Sequence, residues 1–167
     1  MGDARRGYDP SRHSMKQLDD KDYEILSILQ KEGRITNAEL AKRVGLSPPS
    51  VLQRVRFLER AGFITGYYAH LDAEKLNLKI KVLALVSLAL HQEQSLEKVI
   101  GSFREIPEVV ECHHVSGEFD FLLKIVVEDM RAYEALLREK ILRIKGVGQI
   151  RSSFVLGSFK ESTVLPI

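Results

Sequence analysis

With 167 residues, 44% hydrophobic and 29% charged, the chain has ordinary globular composition, enough for one domain or two small ones. No apolar run approaches the roughly 18 residues of a membrane span, since KVLALVSLAL is too short, and the start shows no apolar signal segment. The single cysteine, Cys112, excludes an internal disulfide, and a net charge of +2 argues for nucleic acid only through its distribution.

Residues 1–15 are polar and aperiodic, with a second methionine at Met15. They read as a disordered extension, an alternative start or a remnant of expression, and lie outside the fold. From Leu18, LDDKDYEILSILQKEG predicts a helix capped by Asp19 or Asp20, with Ile25, Ile28 and Leu29 turned inward.

The stretch RITNAELAKRVGLSPPSVLQRVRFLERAGFI, Arg34 to Ile64, carries the strongest signal. Thr36 and Glu39 have the spacing of a capping box, and Gly45 stops a short helix after Leu40 and Val44. Ser47 caps the next helix, with Pro48 and Pro49 in its first turn, where a missing N–H costs little. Neither proline can donate, so the Ser47 hydroxyl is expected on the amide of Ser50. Two helices joined by a short Gly-containing turn make a helix-turn-helix, whose second helix enters the DNA major groove.

At about 100° per residue, Val51, Val55 and Leu58 of that second helix face a core, with Leu52 at the edge. Gln53, Arg56 and Arg60 point outward, flanked by Ser50 and Arg54. Gln and Arg can read base edges bidentately, whereas Ser50 and Arg54 sit where phosphates would pass. Phe57, near the outer face, suits either a thymine methyl or sugar, or a neighbouring helix. From Arg34 to Gly62 there are six Lys/Arg against two Glu, a local charge of +4.

GFITGYYAHLD alternates enough for a short strand or wing ending near Leu71. Residues 16–71 thus form a winged helix-turn-helix, 72–80 a hinge, and 81–167 a second domain. There, Lys81 to His91 is a strand, Ser95 caps a helix that Pro107 ends, and Val109 to Val115 is a strand. After a tight SGE turn, Phe119 to Val127 returns. Asp129 caps a long helix through Ile144, and Gln149 to Leu156 closes the domain. The order is βαββαβ, a ferredoxin-like arrangement, so the fold class is α+β.

These strands are apolar on both faces. Val82, Ala84, Val86 and Leu88 oppose Leu83, Leu85 and Ala89 on the first, while Phe121, Leu123 and Ile125 oppose Leu122 and Val126 on the third. Helices of one domain cover only one face, so the other implies a homodimer formed sheet to sheet.

Together LDDKDYEIL, RITNAELAKRVGLSPPSV, RVRFLERAGFI, ECHHVSGEFDFLLK and RSSFVLGSFKEST resemble the Lrp/AsnC (leucine-responsive/asparagine-responsive, feast/famine) transcription regulators, nearest their leucine-responsive branch. The resemblance runs from about Leu18 to the C-terminus. It implies a DNA-binding first domain, and a second domain that senses an amino acid and assembles dimers into tetramers, octamers or larger discs. It also implies an effector site between dimers, where Gly117, Glu118, Phe119 and Asp120 match the family's turn and Ser152 a hydroxyl of the last strand. Gly117 permits close backbone approach, and Asp120 can accept from an α-ammonium. The same two residues equally suit a plain hairpin turn. Ile150 stands where the family often has Thr, which leaves the effector's identity open.

Glu111, Cys112, His113 and His114 are metal-ligand types, yet strand alternation divides them two and two between faces, so core packing and an interface histidine are the expected roles and no metal is assigned. Some proteins of this layout decarboxylate tetrapyrroles with His and Arg of the sensing domain, and others regulate enzymes as free-standing amino-acid binders. An intact basic reading helix fits neither. The expectation is a cytoplasmic, nucleoid-associated, autoregulatory DNA-binding regulator without a cofactor, responsive to leucine or another apolar amino acid. Lys42, Arg43 and Arg54 would hold phosphates, with Ser47 capping beside them, and Gln53, Arg56 and Ser50 would read bases.

Overall fold

The computed structural model describes residues 17–89 and 96–167. Its contacts divide the chain into two units, one running to Ala69 and taking in Ser162–Ile167, the other His70–Glu161. By these contacts the last six residues group with the first unit. Gln30 secures them within the first unit: its side-chain amide donates to the Leu165 carbonyl at 3.0 Å and accepts the Leu165 N–H at 2.8 Å.

The first unit holds α1 (Asp20–Leu29), α2 (Asn37–Val44) and α3 (Pro48–Arg60). Asp19 caps α1, and the reciprocal capping box forms here, the Asp22 carboxylate accepting the Asp19 N–H. At α2 only half of the expected box forms. Thr36 accepts the Glu39 N–H, but the Glu39 carboxylate turns to Arg43 and Lys42 one turn on. Gly45 ends α2 at φ 67°, a left-handed position that a side chain would strain. Ile25, Leu40, Val44, Val51, Val55 and Leu58 form the shared core, while Ile28 and Leu29 are only half-buried.

No strand forms between residue 63 and Leu71. An alternating segment needs a partner ladder to become a strand, and here the chain is held to α3 instead. The N–H groups of Phe63 and Ile64 donate to the Leu58 carbonyl, and the Tyr67 hydroxyl donates to Glu59. The expected hinge contains a turn capped by Asp72, with Asn77 left-handed, but Ile80 already belongs to the next strand.

The second unit orders β1 (Ile80–Leu88), α4 (Leu96–Arg104), β2 (Val109–His114), β3 (Phe121–Val127), α5 (Met130–Glu139) and β4 (Val147–Phe154). The sheet is antiparallel with order β2-β3-β1-β4, the ferredoxin-like pattern expected. Ser95, His91 and residues 1–15 lie outside the described residues.

Two boundaries differ in kind. β1 stops at Leu88, where its register with β4 slips after Val86 and Ser87 accepts the Gln149 N–H. The long helix after Asp129 ends at Glu139 and rewinds as a 3₁₀ turn, Ile141–Arg143. That tighter turn carries Ile141 into full burial.

Val82, Ala84, Val86, Phe121, Leu123 and Ile125 pack against Val99, Phe103, Tyr133 and Leu136 of the helices, which fixes the covered face. The opposite face keeps Leu83 exposed and Leu85, Leu122 and Val126 half-buried, with Leu85 directly across from Leu122.

Candidate nucleic-acid interface and effector turn

α3 presents the side chains expected of a reading helix. Ser47 accepts the Ser50 N–H at 3.4 Å, and Val51, Val55 and Leu58 anchor the helix to the core. Gln53, Arg56 and Arg60 are exposed on the other side. Ser50, Gln53, Phe57 and Arg60 share one shallow groove with Arg54 and Asp22. Among the described residues the Arg56 guanidinium has no protein partner, whereas Arg60 Nε donates to the Arg56 carbonyl at 3.1 Å. Phe57 meets Phe63, in the segment just past α3 rather than on a neighbouring helix, with ring centroids 6.4 Å apart.

The three cations expected on phosphates are not equivalent. Lys42 is exposed to solvent, with Glu39 3.9 Å away. Arg43 donates to Glu32 at 2.6 Å and is also 3.5 Å from Glu39; the Glu32 partner foremost raises its pKa, and Arg43 in turn lowers that of Glu32. Arg54 departs furthest from expectation. Its Nη1 donates to Asp22 Oδ1 at 2.6 Å and to both Asp19 oxygens at 2.8 Å. Asp22, then Asp19, raises the Arg54 pKa, and the guanidinium holds the Asp19 carboxyl below its usual range. Arg54 is thus engaged within the protein, because the carboxylates of Asp22 in α1 and of its cap Asp19, 32 and 35 residues away, converge on it. Their Asp-x-x-Asp spacing was visible as a helix start, but not its destination.

In the second unit the β2–β3 turn is tied down by backbone. Val115 N–H donates to the Asp120 carbonyl at 2.9 Å, and Asp120 N–H to the Val86 carbonyl at 3.0 Å. Asp120 Oδ2 accepts the Leu88 N–H at 2.7 Å. Gly117 has φ 128°, where a side chain would be strained, and Glu118 is exposed. Phe119 is buried beneath Arg151, whose guanidinium lies 4.8 Å from the ring centroid and 3.4 Å from Glu118. Ser152 is not brought to this turn. It pairs with Ala84 on the helix-covered face, and its hydroxyl meets Tyr133 Oη at 2.5 Å, a phenol whose pKa burial pushes up. Arg151 was missed from sequence, although strand alternation sets it on the other face from Ser152.

Residues 81–165 match the Lrp/AsnC ligand binding domain, and residues 18–65 match a winged helix-turn-helix DNA-binding family. The chain belongs to the Lrp/AsnC family. Leucine-responsive regulatory proteins of Salmonella typhimurium and Escherichia coli K12 are 45% identical to it over 159 residues, covering 95% of this chain and 97% of theirs. A Neisseria meningitidis transcriptional regulator solved as an L-Met complex matches with TM-score 0.85 and 39% identity, over 90% of this chain and 97% of that one. An AsnC family regulator from Agrobacterium tumefaciens gives TM-score 0.83 and 36% identity, over 89% and 97%. This chain is therefore a DNA-binding transcriptional regulator and not an enzyme, and the tetrapyrrole decarboxylase alternative is not favoured.

In this Lrp/AsnC chain the residues Glu111 to His114 divide as strand geometry requires. His113 lies 3.2 Å from Glu111, which also takes Lys124 Nζ at 2.8 Å; Lys124 first, then His113, lowers the Glu111 pKa. On the covered side the His114 ring meets Phe121 at a tilt, centroids 5.4 Å apart, and burial pushes the Cys112 thiol up. Among the described residues no group of three or more His, Cys, Asp or Glu is placed to hold a metal ion.

Proposed function

We propose that this regulator acts in the cytoplasm, on the nucleoid, as a homodimer or larger assembly that binds a roughly two-fold-symmetric DNA site. The observation that carries the reading is the exposed Arg56, unpaired among the described residues, beside Gln53 on a capped helix whose opposite side is core. Gln53 and Arg56 read base edges, with Ser50 and Arg60 at the margins of the same groove. Lys42, and less so the engaged Arg43, contribute phosphate affinity. The assembly surface is the open sheet face around Leu83, Leu85 and Leu122.

Its effector is a free apolar amino acid, in keeping with the L-Met carried by the Neisseria meningitidis relative. The turn at Gly117 supplies close backbone approach, and exposed Glu118 supplies a carboxylate for the ammonium. A second reading has an observation of its own: Asp120 already uses Oδ2 on Leu88, which is what a purely structural hairpin residue does.

Selection of duplexes from a random library, with and without each of the twenty amino acids, tests both parts. A recurring two-fold-symmetric motif that Arg56→Ala no longer prefers supports the DNA reading, and equal loss on selected and random duplexes opposes it. A thermal-shift screen in which no amino acid moves the midpoint would leave Gly117 and Asp120 as turn residues only.

A further inference from the structure

We infer that Arg54 is a positioning residue that pins the reading helix to the start of α1, and that DNA sequence preference passes through this pin rather than through a phosphate contact. The inference rests on α3 being the reading helix.

Arg54 meets the two carboxylates of the α1 capping box. Asp19 Oδ1 already accepts the Asp22 N–H at 2.9 Å, and Asp22 Oδ2 accepts the Asp19 N–H at 3.2 Å. The guanidinium adds three contacts to that closed pair, so the first turn of α1 and the middle of α3 form one polar cluster. Asp22 is 1% exposed. A carboxylate buried that far is stable only with its charge matched and its oxygens hydrogen-bonded, so α3 cannot turn or slide without stripping Asp22 of its partner.

The position in the helix makes the pin consequential. Arg54 follows Gln53 and precedes Arg56 by two residues, and it lines the groove that Gln53 rims. A small rotation of α3 about its axis moves both side chains off their bases, and bidentate base contacts tolerate little displacement. Charge balance points the same way. One guanidinium with two carboxylates leaves the cluster at −1, so it adds no positive potential facing a phosphate.

The test uses the full-length protein and two duplexes, one selected by it from a random library and one unselected. For Arg54→Lys, which keeps the charge but ends one bond short of the Nη1 position that makes all three contacts, the selected-to-random affinity ratio should fall at least about fivefold, the low end for one lost base contact. Affinity for the random duplex and its salt slope should stay at wild-type values. Asp22→Asn removes the buried anchor and leaves Arg54 only its Asp19 contacts, and should lower the ratio similarly. A phosphate role instead expects Asp22→Asn to tighten binding to both duplexes with the ratio kept, and expects Arg54→Lys to keep the ratio; either result overturns the inference.

Circular dichroism checks folding. Should those variants unfold, Asp19→Asn decides: Asn remains a good cap and Asp19 is exposed, so a reduced ratio supports the pin and an unchanged one overturns it. Arg56→Ala runs in parallel. A ratio lowered by the Arg54 and Asp19 variants but not by Arg56→Ala removes the base assignment of Arg56 alone.

Discussion

The carboxylate of Asp120 accepts the backbone N–H of Leu88 at 2.7 Å, at the residue where β1 slips register against β4. One side chain therefore closes the β2–β3 turn onto the end of the central strand, beside a glycine held at φ 128°.

Removing that acceptor leaves a half-buried N–H without a partner. Asp120→Ala should lower unfolding stability by about 1.5–3 kcal/mol, as for a hydrogen bond to a charged group, while Asp120→Asn should recover most of it. Urea denaturation of the three proteins measures this. Equal midpoints would show that the Leu88 contact contributes nothing.

The exposed face of the sheet predicts association. Leu85 and Leu122 lie opposite each other there, away from the helices. A charge at this position would be buried unpaired in a sheet-to-sheet dimer, so Leu85→Asp should give monomers at micromolar concentration without loss of fold. Sedimentation equilibrium decides the matter, and an unaltered molecular weight would move the interface elsewhere.

Lys42 and Arg56 should fail differently on DNA. Lys42→Ala removes an exposed cation and should flatten the log–log salt slope by about 0.9 on any duplex, with sequence preference intact. Arg56→Ala should cost about 1–3 kcal/mol at its own base pair and relax preference there. Titrations at several salt concentrations separate them, and matching behaviour would contradict the assigned division.

Acid should loosen the first unit in a defined direction. Arg54 depresses the Asp19 carboxyl and Arg43 depresses that of Glu32. A depressed carboxylate adds stability above its unfolded pKa, and that increment is lost as pH falls through the folded one. Both groups are exposed, so the effect is small. The thermal midpoint of Asp19→Asn should lie below wild type at pH ~7 and converge with it as the pH falls through the lowered pKa of Asp19. A gap that persists in acid would assign the difference to something other than charge.

Gly45 ends α2 in left-handed geometry with open space around its missing Cβ. Gly45→Ala should therefore cost about 1 kcal/mol through backbone strain alone, with no steric clash to relieve. Thermal unfolding would show it, and an unchanged midpoint would mean that the turn relaxes.

Periodicity, caps and turn residues made the helices, strand order and outward set Gln53, Arg56 and Arg60 legible in the sequence. Those features depend on residues within a few positions of one another, where geometry leaves few options. The Ser47 cap on Ser50 followed from two prolines that cannot donate, and the split of Glu111 to His114 between faces from the pleat alone. Partners brought together by tertiary packing were not legible. Arg54 read as a phosphate contact until the start of α1 delivered Asp19 and Asp22 to it, and nothing local to Ser152 announced its hydrogen bond with Tyr133. The segment before Leu71 alternates like a strand, yet with no ladder to join it follows α3 instead. Local spacing determines which backbone a segment can adopt; only the folded chain decides which charges and hydroxyls remain available to DNA or an effector, because those groups take whichever partner desolvation leaves nearest.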